Sequence, residues 1–361
     1  MTTRLHPILL VTGLLPLLSG QIPPMTVQQA PPVPSDPLEL VPANAQPVRD
    51  VSQRAEIIDL LGNSHRLSNV RSHPYNLKTT FTTADGKWQL EDTSPGANRY
   101  RWTAQGPNYS AVNLQIRGVL YSDQAANALP LRLAQVRAAI FFNQPPLGPR
   151  ASLRIAPANL DGTALTCTLI SRNAMTNAGT DGRRWDEEEY CLDPKANTLV
   201  TYSPVPGLFV HYDYSKALAF HDKLIWNKFT ITQAGQTVIE AQTESVTDPP
   251  NNPAAFQPAG LNQIGVGPPM TPPWRSRMMA PSPAPGPMAQ IVVLHGMQSP
   301  DGKLTEVEVL ASSDPSVNAA ALARVSNRQS GLGAQALEPG ATPQSQEVIM
   351  TVEFTAWNQQ R

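Results

Sequence analysis

Hydrophobic and polar residues alternate along most of the middle of the chain. Short runs rich in β-branched and aromatic residues, such as YNLKTTFTT (75–83) and NRYRWTAQG (98–106), are separated by Asp-Gly, Pro-Gly and Gly-Pro breaks. Alternation places successive side chains on opposite faces, which is typical of half-buried antiparallel strands. The pattern therefore predicts a large antiparallel β domain over residues 49–248.

Two stretches of this domain repeat their apolar residues at helical spacing instead. SQRAEIIDLLGNSHRL (52–67) places Ile57, Leu60 and Leu61 on one face, and LPLRLAQVRAAIFF (129–142) forms a second apolar segment. Residues three and four apart share a helix face. We therefore expect one helix before the first strands and a second helix among the later ones.

Alternation returns in a separate unit, residues 288–361. AQIVVLHGMQ (289–298) and LTEVEVLAS (304–312) predict two strands joined by an Asp-Gly turn, and QEVIMTVEF (346–354) predicts a last strand. Between them, Ser313 or Asp314 can cap a helix that carries Val317, Ala321 and Val325 on one face. The predicted fold class is thus α+β, with a large antiparallel sheet domain and a small C-terminal αβ domain.

Proline-rich stretches flank the large domain. Residues 22–48 and 249–287 contain most of the 37 prolines of the chain. Proline lacks a backbone donor and favours extended polyproline conformations, so we expect a disordered segment and a linker that holds the C-terminal domain on a tether. Trp274, Arg275 and Arg277 lie in the second stretch, either without a role or as a short docking motif.

The first 21 residues have the composition of a secretory signal. Arg4 precedes an apolar run from Pro7 to Leu18, and the small residues Ser19 and Gly20 follow. A cleaved signal over 1–21 would make the protein periplasmic or secreted. The alternative is an uncleaved N-terminal inner-membrane anchor.

Charge and cysteine content narrow the function further. The chain has 27 Lys and Arg against 28 Asp and Glu, so no broad basic surface is available for nucleic acid. Cys167 and Cys191 both fall on predicted strands, and in an oxidising compartment we expect them to form a disulfide. A metal or redox pair would favour a C-x-x-C spacing or a nearby histidine, neither of which is present; free thiols are the remaining alternative.

Catalytic signatures are absent from the sequence. It contains no G-x-S-x-G, no H-E-x-x-H and no phosphate-binding glycine loop, so we predict a protein that is not an enzyme and has no cofactor and no metal site. His211 and Asp213 would share a strand face near His221 and Asp222, and WDEEEY (185–190) supplies carboxylates. These residues form either an acid-base or metal site or, as we expect, a solvated strand face. His295 is predicted to be a hydrogen-bonded core or edge histidine.

The large domain resembles the periplasmic lipoprotein-carrier fold. The resemblance rests on the order of an opening helix, a long antiparallel sheet and a second helix, and especially on LIWNKFTITQAGQTVIEAQTESV (224–246). It implies a curved sheet around an apolar cavity that suits an acyl chain or another hydrophobic ligand. The alternative is a sheet whose interior is filled by side chains.

The C-terminal unit resembles the C-terminal domain of TonB-type energy transducers. The matching segments are QIVVLHGMQSPDGKLTEVEVLASS, NAAALARV and EVIMTVEF, preceded by a proline-rich tether. The resemblance implies that an outer-membrane protein segment adds as a strand to an exposed edge. The predicted partner-binding edge strand consists of Glu347, Val348, Ile349, Met350, Thr351, Val352, Glu353 and Phe354. Its glutamates can equally serve to prevent pairing.

Two functions follow from these resemblances. The first is a non-catalytic periplasmic adaptor whose TonB-like domain contacts outer-membrane receptors in transport. The alternative is a periplasmic carrier of lipid, lipoprotein or another hydrophobic ligand bound in the large domain. The presence or absence of a bound ligand distinguishes the two.

Overall fold

The computed structural model describes Val33, Leu40 and residues 45–96, 98–124, 129–148, 150–172, 182–283, 289–326 and 342–355. The predicted signal segment, 1–21, lies outside these residues, as does most of 22–48. Within the described part of the chain, every helix falls short of the length or hydrophobicity that a bilayer-spanning helix needs.

The described residues form three α-helices and twenty strands. The helices are α1 (Val51–Ser68), α2 (Leu131–Phe141) and α3 (Asn318–Ser326). Short 3₁₀ turns cover Val70–Ser72, Pro253–Phe256 and Pro315–Val317. The strands are β1 (Gln46–Pro47), β2 (Tyr75–Thr83), β3 (Gly86–Gly96), β4 (Arg99–Gly106), β5 (Tyr109–Ile116), β6 (Val119–Ser122), β7 (Ser152–Leu160), β8 (Thr163–Ser171), β9 (Glu187–Asp193), β10 (Thr198–Val205), β11 (Leu208–Asp213), β12 (Leu218–Phe220), β13 (Lys223–Ile225), β14 (Lys228–Gln233), β15 (Gln236–Thr247), β16 (Asn262–Val266), β17 (Trp274–Pro281), β18 (Gln290–Gln298), β19 (Leu304–Ser312) and β20 (Gln346–Thr355).

Fourteen strands form one sheet in the order β1-β7-β8-β9-β10-β11-β14-β15-β2-β3-β4-β5-β6-β16. Every neighbouring pair is antiparallel. The prediction of a large antiparallel sheet is confirmed. β12 and β13 form a separate hairpin.

Helix α1 begins where the sequence predicts it. The side chain of Asp50 accepts a hydrogen bond from the backbone N–H of Gln53 at 2.8 Å, which satisfies one of the free amides of the first turn. Ile57 and Leu61 are buried, and the helix packs against β10 and β13. Its opposite face remains in solvent.

Helix α2 lies inside the curve of the large sheet. The helix contacts two distant strands of this sheet. Arg137 donates a hydrogen bond to the Tyr100 hydroxyl on β4, and the Tyr212 hydroxyl on β11 donates to the carbonyl of Ala139 at 2.7 Å. β4 and β11 are five strand spacings apart in the sheet, or about 24 Å if the sheet were flat. A helix only about 10–12 Å wide reaches both strands because the sheet curves around it.

A second sheet follows the order β17-β20-β18-β19. Helix α3 covers one face, where Val317, Ala321 and Val325 pack against the even-numbered apolar residues of β20, which are Val348, Met350, Val352 and Phe354. Asp314 precedes the helix and accepts a hydrogen bond from the Ser316 amide at 2.9 Å. The predicted strands and helix of residues 288–361 are present; their resemblance to a TonB domain is not established by this arrangement.

The opposite face of the small sheet packs directly on the large domain. Ile291, Val293, Leu310 and Ile349 belong to the same buried cluster as the apolar residues of the large sheet. At the border of this interface, Arg132 on α2 forms an ion pair with Glu308 on β19 at 2.7 Å. The two sheets therefore share one core, whereas the sequence predicted a C-terminal domain held apart on a tether.

Part of the predicted linker, 249–287, is folded. β16 adds to the edge of the large sheet beside β6, and β17 pairs in parallel with β20 in the small sheet. Arg275 on β17 binds the buried Glu188 at 2.6 Å, and Arg277 binds Glu353. Prolines are tolerated here because they flank the strands or lie at the end of an outer strand, where no ladder amide is lost. The prediction of an extended linker is wrong for these strands.

The predicted edge strand, 347–354, is an inner strand. β20 pairs with β17 on one side and with β18 on the other, so its backbone groups are already used. The sequence pattern did not reveal β17 because prolines surround it. Glu347 and Glu353 bind His295 and Arg277 rather than guarding a free edge.

Cys167 and Cys191 form the predicted disulfide. They are directly opposite on β8 and β9, and both are fully buried. The bond lies in a separate apolar cluster near Ala156, Leu165 and Leu169. It is therefore a structural bond at one end of the large sheet.

The docking of the small sheet can be tested at Gly207. Gly207 and Gly162 both have a left-handed backbone, with φ of 81° and 83°. A Cβ at Gly207 would overlap the carbonyl oxygen of Leu310 on β19, whereas a Cβ at Gly162 meets no atom within 4 Å. Both Gly→Ala variants should lose about 1–2 kcal/mol to backbone strain, and Gly207→Ala should lose about 1–3 kcal/mol more because of the overlap. Urea unfolding measures the difference; equal losses would contradict the docked arrangement.

The disulfide should stabilise the chain measurably. It joins residues separated by 24 positions, and closing such a loop contributes roughly 3 kcal/mol. We expect the Cys167→Ala/Cys191→Ala variant to unfold at a correspondingly lower urea concentration than the oxidised protein. Adding a reductant should destabilise the original protein and leave the double variant unchanged. A reductant effect on the variant would show that the loss has another cause.

Candidate functional site

An open cleft lies beside α2, between the β4–β6 end of the large sheet and the start of β20. Its cavity volume is about 100 Å³. Apolar and aromatic side chains provide somewhat more than half of the lining residues, and polar or charged side chains provide the rest. Its lining residues include Tyr100, Trp102, Tyr109, Leu114, Gln115, Leu120, Tyr121, Ala134, Arg137, Ala138, Phe142, Ile264, Met270, Ser345 and Glu347.

The strand pattern explains why one wall is aromatic. Tyr100 and Trp102 are two residues apart on β4, so both point to the concave face of the sheet. Both are nearly buried, at 6% and 5% exposure. On the helix side, Ala134 and Ala138 are one turn apart and their short side chains leave space in front of the aromatic wall.

A second, smaller cavity of about 30 Å³ lies farther along α2. Ala138, Phe142 and Glu347 line both spaces. The remaining walls of the small cavity are mainly apolar and include Leu208, Ile231 and Ile349. The contact between α2 and the two sheets is therefore not completely filled by side chains.

Arg137 is the charged group at the aromatic wall. Its guanidinium carbon lies 4.4 Å from the centre of the Trp102 ring, in cation–π contact. Its Nη2 donates to the Tyr100 hydroxyl at 2.9 Å, and the Tyr100 hydroxyl donates to the Asp92 carboxylate. Nη2 lies 3.8 Å from Asp92 Oδ1, so the ion pair is mediated largely by Tyr100.

Burial changes the titration of this group of residues. Loss of solvent raises the pKa of Asp92, although Arg137 and the Tyr100 hydrogen bond oppose the increase. Burial also raises the pKa of Tyr100 well above its usual value, so this hydroxyl stays protonated and can donate. For Arg137, burial alone would lower the pKa, but Tyr100 and Asp92 outweigh it and the net shift is upward. Arg137 is therefore a permanent buried cation.

Glu347 is the other charged residue among those that line the cleft. Its Oε1 lies 2.8 Å from Nε2 of His295, and Nδ1 of His295 lies 2.7 Å from the side-chain nitrogen of Gln233. His295 is completely buried between the two sheets. The prediction of a hydrogen-bonded core histidine is confirmed, and its contacts join β14, β18 and β20.

The structure does not gather the other predicted candidates into one site. His211 on β11 contacts Thr201, while Asp213 accepts from the Ser215 amide, which lowers its pKa. His221 binds Asp248, and Asp222 binds His73. The rings of His73 and His221 are stacked, with centroids 4.7 Å apart, so these two His–Asp pairs form one cluster. The hydrogen bonds of His211 to Thr201 and of Asp213 to Ser215 are not part of this cluster.

The three glutamates of WDEEEY are buried and paired with arginines, so the expected solvated strand face is wrong for them, whereas Asp186 is exposed and accepts a hydrogen bond from Ser171. Glu187 binds Arg154 at 2.8 Å, Glu188 binds Arg172 and Arg275, and Glu189 lies 3.5 Å from Arg183. Cys167, Glu189 and Cys191 also lie close enough together to share an ion. Both sulfur atoms are used in the disulfide, so they are not available as thiolate ligands.

Sequence reasoning did not identify the cleft. Its residues come from β4, β5, β6, α2, the β16–β17 connection and the start of β20, which are far apart in the chain. One local signal was the arginine at position 137, because the residues on either side of it in α2 are apolar. Inside a helix that is buried on nearly all sides, such a residue requires a partner or a function.

No protein-family model matches the chain, and no curated protein matches it. Among solved structures, it is similar to the LolA superfamily protein NE2245 from Nitrosomonas europaea, with 8% identity, a TM-score of 0.35, and coverage of 55% of this chain and 96% of that one. A DUF1329 family protein from Desulfovibrio piger gives 8% identity, a TM-score of 0.34, and coverage of 56% and 96%. The Pseudomonas aeruginosa MucA/MucB complex gives 12% identity, a TM-score of 0.27, and coverage of 58% and 64%. Because all three TM-scores are below 0.5, the function is considered below from the geometry of this chain.

The pairing of Arg137 with Asp92 can be tested by a double-mutant cycle. Arg137→Met leaves a fully buried carboxylate without its cation and should lower the free energy of unfolding by about 3–5 kcal/mol. Asp92→Asn in the same chain removes the uncompensated charge and should restore part of the loss. Arg101→Met, on the opposite face of β4, should change stability by only about 0.5 kcal/mol. Urea unfolding would contradict the pairing if Arg137→Met behaved like Arg101→Met.

Proposed function

We propose that the protein is a periplasmic binding protein that carries a small hydrophobic or amphipathic ligand in the cleft beside α2. The observation that supports this function best is unfilled space in the interior of the curved sheet, next to aromatic residues. Ligand sites are usually concave and mainly apolar, with a few polar groups that orient the ligand. This corresponds to the carrier function that the sequence raised as the alternative.

The size of the cleft limits the ligand. Typical pockets for drug-sized molecules measure about 300–1,000 Å³. With a cavity volume of about 100 Å³, the cleft has room for one short chain or for the end of a longer one. Several acyl chains of a lipoprotein would not fit in this conformation. We therefore favour a single-chain ligand over a whole lipoprotein anchor.

The buried disulfide supports a location outside the cytoplasm. Disulfides form and persist in oxidising compartments such as the bacterial periplasm. Cys167 and Cys191 have no exposed surface, which is typical of a structural bond rather than a redox centre. Together with the signal-like composition of residues 1–21, this supports periplasmic placement.

The TonB-like adaptor function is less well supported. It relied on a free edge at residues 347–354, and β20 is paired on both sides. The small sheet instead contributes Glu347 and the neighbouring residues to the wall of the cleft. In the proposed function, this sheet closes one side of the binding site.

A bulky residue in the cleft should abolish binding. Ala138 is partly exposed on α2 and lines both cavities, so Ala138→Trp should fill the space. We expect the purified protein to increase the fluorescence of the neutral probe N-phenylnaphthylamine and expect Ala138→Trp to reduce its affinity at least about tenfold, a cost of about 1.4 kcal/mol. Ala55→Trp, on the exposed face of α1, is the matched control and should bind normally.

Organic extraction of the protein purified from its own cells, followed by mass spectrometry, provides an independent measurement. Ala138→Trp should lose any extracted ligand that the Ala55→Trp variant retains. If the original protein neither binds the probe nor yields a ligand, the carrier function is wrong. Equal binding by both tryptophan variants would place the ligand elsewhere.

A further inference from the structure

Arg137 has more hydrogen-bond donors than its surroundings accept. A guanidinium carries five N–H groups. Among the described residues, Tyr100 is the one that accepts a hydrogen bond from it, and its Nε–H has no partner. A buried arginine with unpaired N–H groups lowers the stability of the fold, because each of these groups loses its hydrogen bond to water and gains none from the protein.

A second unused donor lies in the same cleft. The Ser345 hydroxyl is buried and has no hydrogen-bond partner among the described residues. Ser345 and Arg137 come from different elements, the segment before β20 and helix α2, and both line the cleft. Arg137 and Ser345 therefore keep unpaired donors on two sides of the cleft, among lining residues that also include the amide side chains of Asn113, Gln115 and Gln344.

The charges of the cleft favour an anion. Asp92 is the nearest countercharge of Arg137, but it lies 3.8 Å away, behind the Tyr100 hydroxyl. The other carboxylate, Glu347, is held by His295. Among the described residues that line the cleft, Arg137 is thus the one cation, and it is where we expect an anionic group to bind.

The apolar lining residues provide a surface for the hydrocarbon part of the ligand. Arg137 lies against Trp102, and Leu114, Leu120, Ile264 and Met270 line the same space. A molecule with its charged end at Arg137 can lay a short hydrocarbon chain along these side chains. Carboxylate and phosphate oxygens both match the planar fork of a guanidinium.

We propose that the cleft binds short single-chain amphiphiles with an anionic head group, a carboxylate or a phosphate monoester, and that Arg137 binds the head group. This inference rests on the proposed carrier function and adds the chemical class of its ligand. The head-group preference, rather than hydrophobicity alone, then determines which molecules the protein carries.

The test compares head groups on one octyl chain, using the unaltered protein. Octanoate, octyl phosphate, octanol and octyltrimethylammonium are each titrated against bound N-phenylnaphthylamine. We expect octanoate and octyl phosphate to displace the probe at least about tenfold more effectively than octanol, because a charge-assisted pair with Arg137 is formed only by the anions. Octyltrimethylammonium should be the weakest. Acetate and inorganic phosphate, which lack the chain, should not displace the probe.

Variants test whether Arg137 is responsible. Because Arg137→Met alone leaves the buried Asp92 unpaired and is expected to destabilise the fold, the variant used is Asp92→Asn/Arg137→Met, which removes both charges and leaves the net charge unchanged. It should bind octanoate no better than octanol. Arg101→Met, which removes a cation from the opposite face of β4, should retain the preference for the anions.

Each outcome distinguishes the two proposals. If all octyl compounds displace the probe equally, or if the cationic one binds best, the anionic head group is wrong and the carrier function stands. If acetate or inorganic phosphate competes as well as its octyl counterpart, the site binds free anions and not amphiphiles. If the probe binds but no octyl compound displaces it, the short-chain amphiphile is wrong, whereas the carrier function fails only if the protein neither binds the probe nor yields a ligand. A full anion preference in Asp92→Asn/Arg137→Met would exclude Arg137 as the binding residue.

Discussion

Apolar contact on both sides of α2 holds the molecule together. The helix buries nine of its eleven residues, including Leu133 and Val136 with no exposed surface, between the large sheet and β20 of the small one. Each fully buried aliphatic side chain contributes roughly 1.5–3 kcal/mol. The curvature of the large sheet, the docking of the small sheet and the position of the cleft all follow from this one helix, because each of them is a surface in contact with it.

The sequence was informative wherever a segment's own pattern determined its structure. Alternation identified the strands of the large sheet, apolar spacing identified α1, α2 and α3, and the two cysteines identified the disulfide. The hydrophobic pattern did not predict a strand whose formation depends on pairing with a distant strand. The residues of β17 lie among prolines. They form a strand because they hydrogen-bond to β20 and because Arg275 forms an ion pair with Glu188. The unrecognised strands β16 and β17 explain the wrong linker, and β17 also explains the wrong edge.

The cleft could not be predicted for a related reason. Its shape depends on space that Ala134 and Ala138 leave unfilled in front of Tyr100 and Trp102, and such a gap has no signature in any single segment. The polar group at its wall has the same origin. The β3–β4 ladder brings Asp92 and Tyr100 together, and the curvature of the sheet brings Arg137 of α2 to them. A buried arginine in an apolar helix was the available sequence signal, and its meaning depended on the partners that the fold supplies.

The parallel pairing of β17 with β20 has a consequence for how the protein is made. Trp274 and Val348 are partners in this ladder, yet more than seventy residues separate them, and all of the antiparallel hairpins of the large sheet can close before the second of these strands leaves the ribosome or the export channel. Until β20 is available, the surface of the large domain around α2 is therefore not covered by the small sheet. During that interval the nascent chain exposes a hydrophobic groove. At this stage the chain is most prone to aggregate and would benefit most from a chaperone.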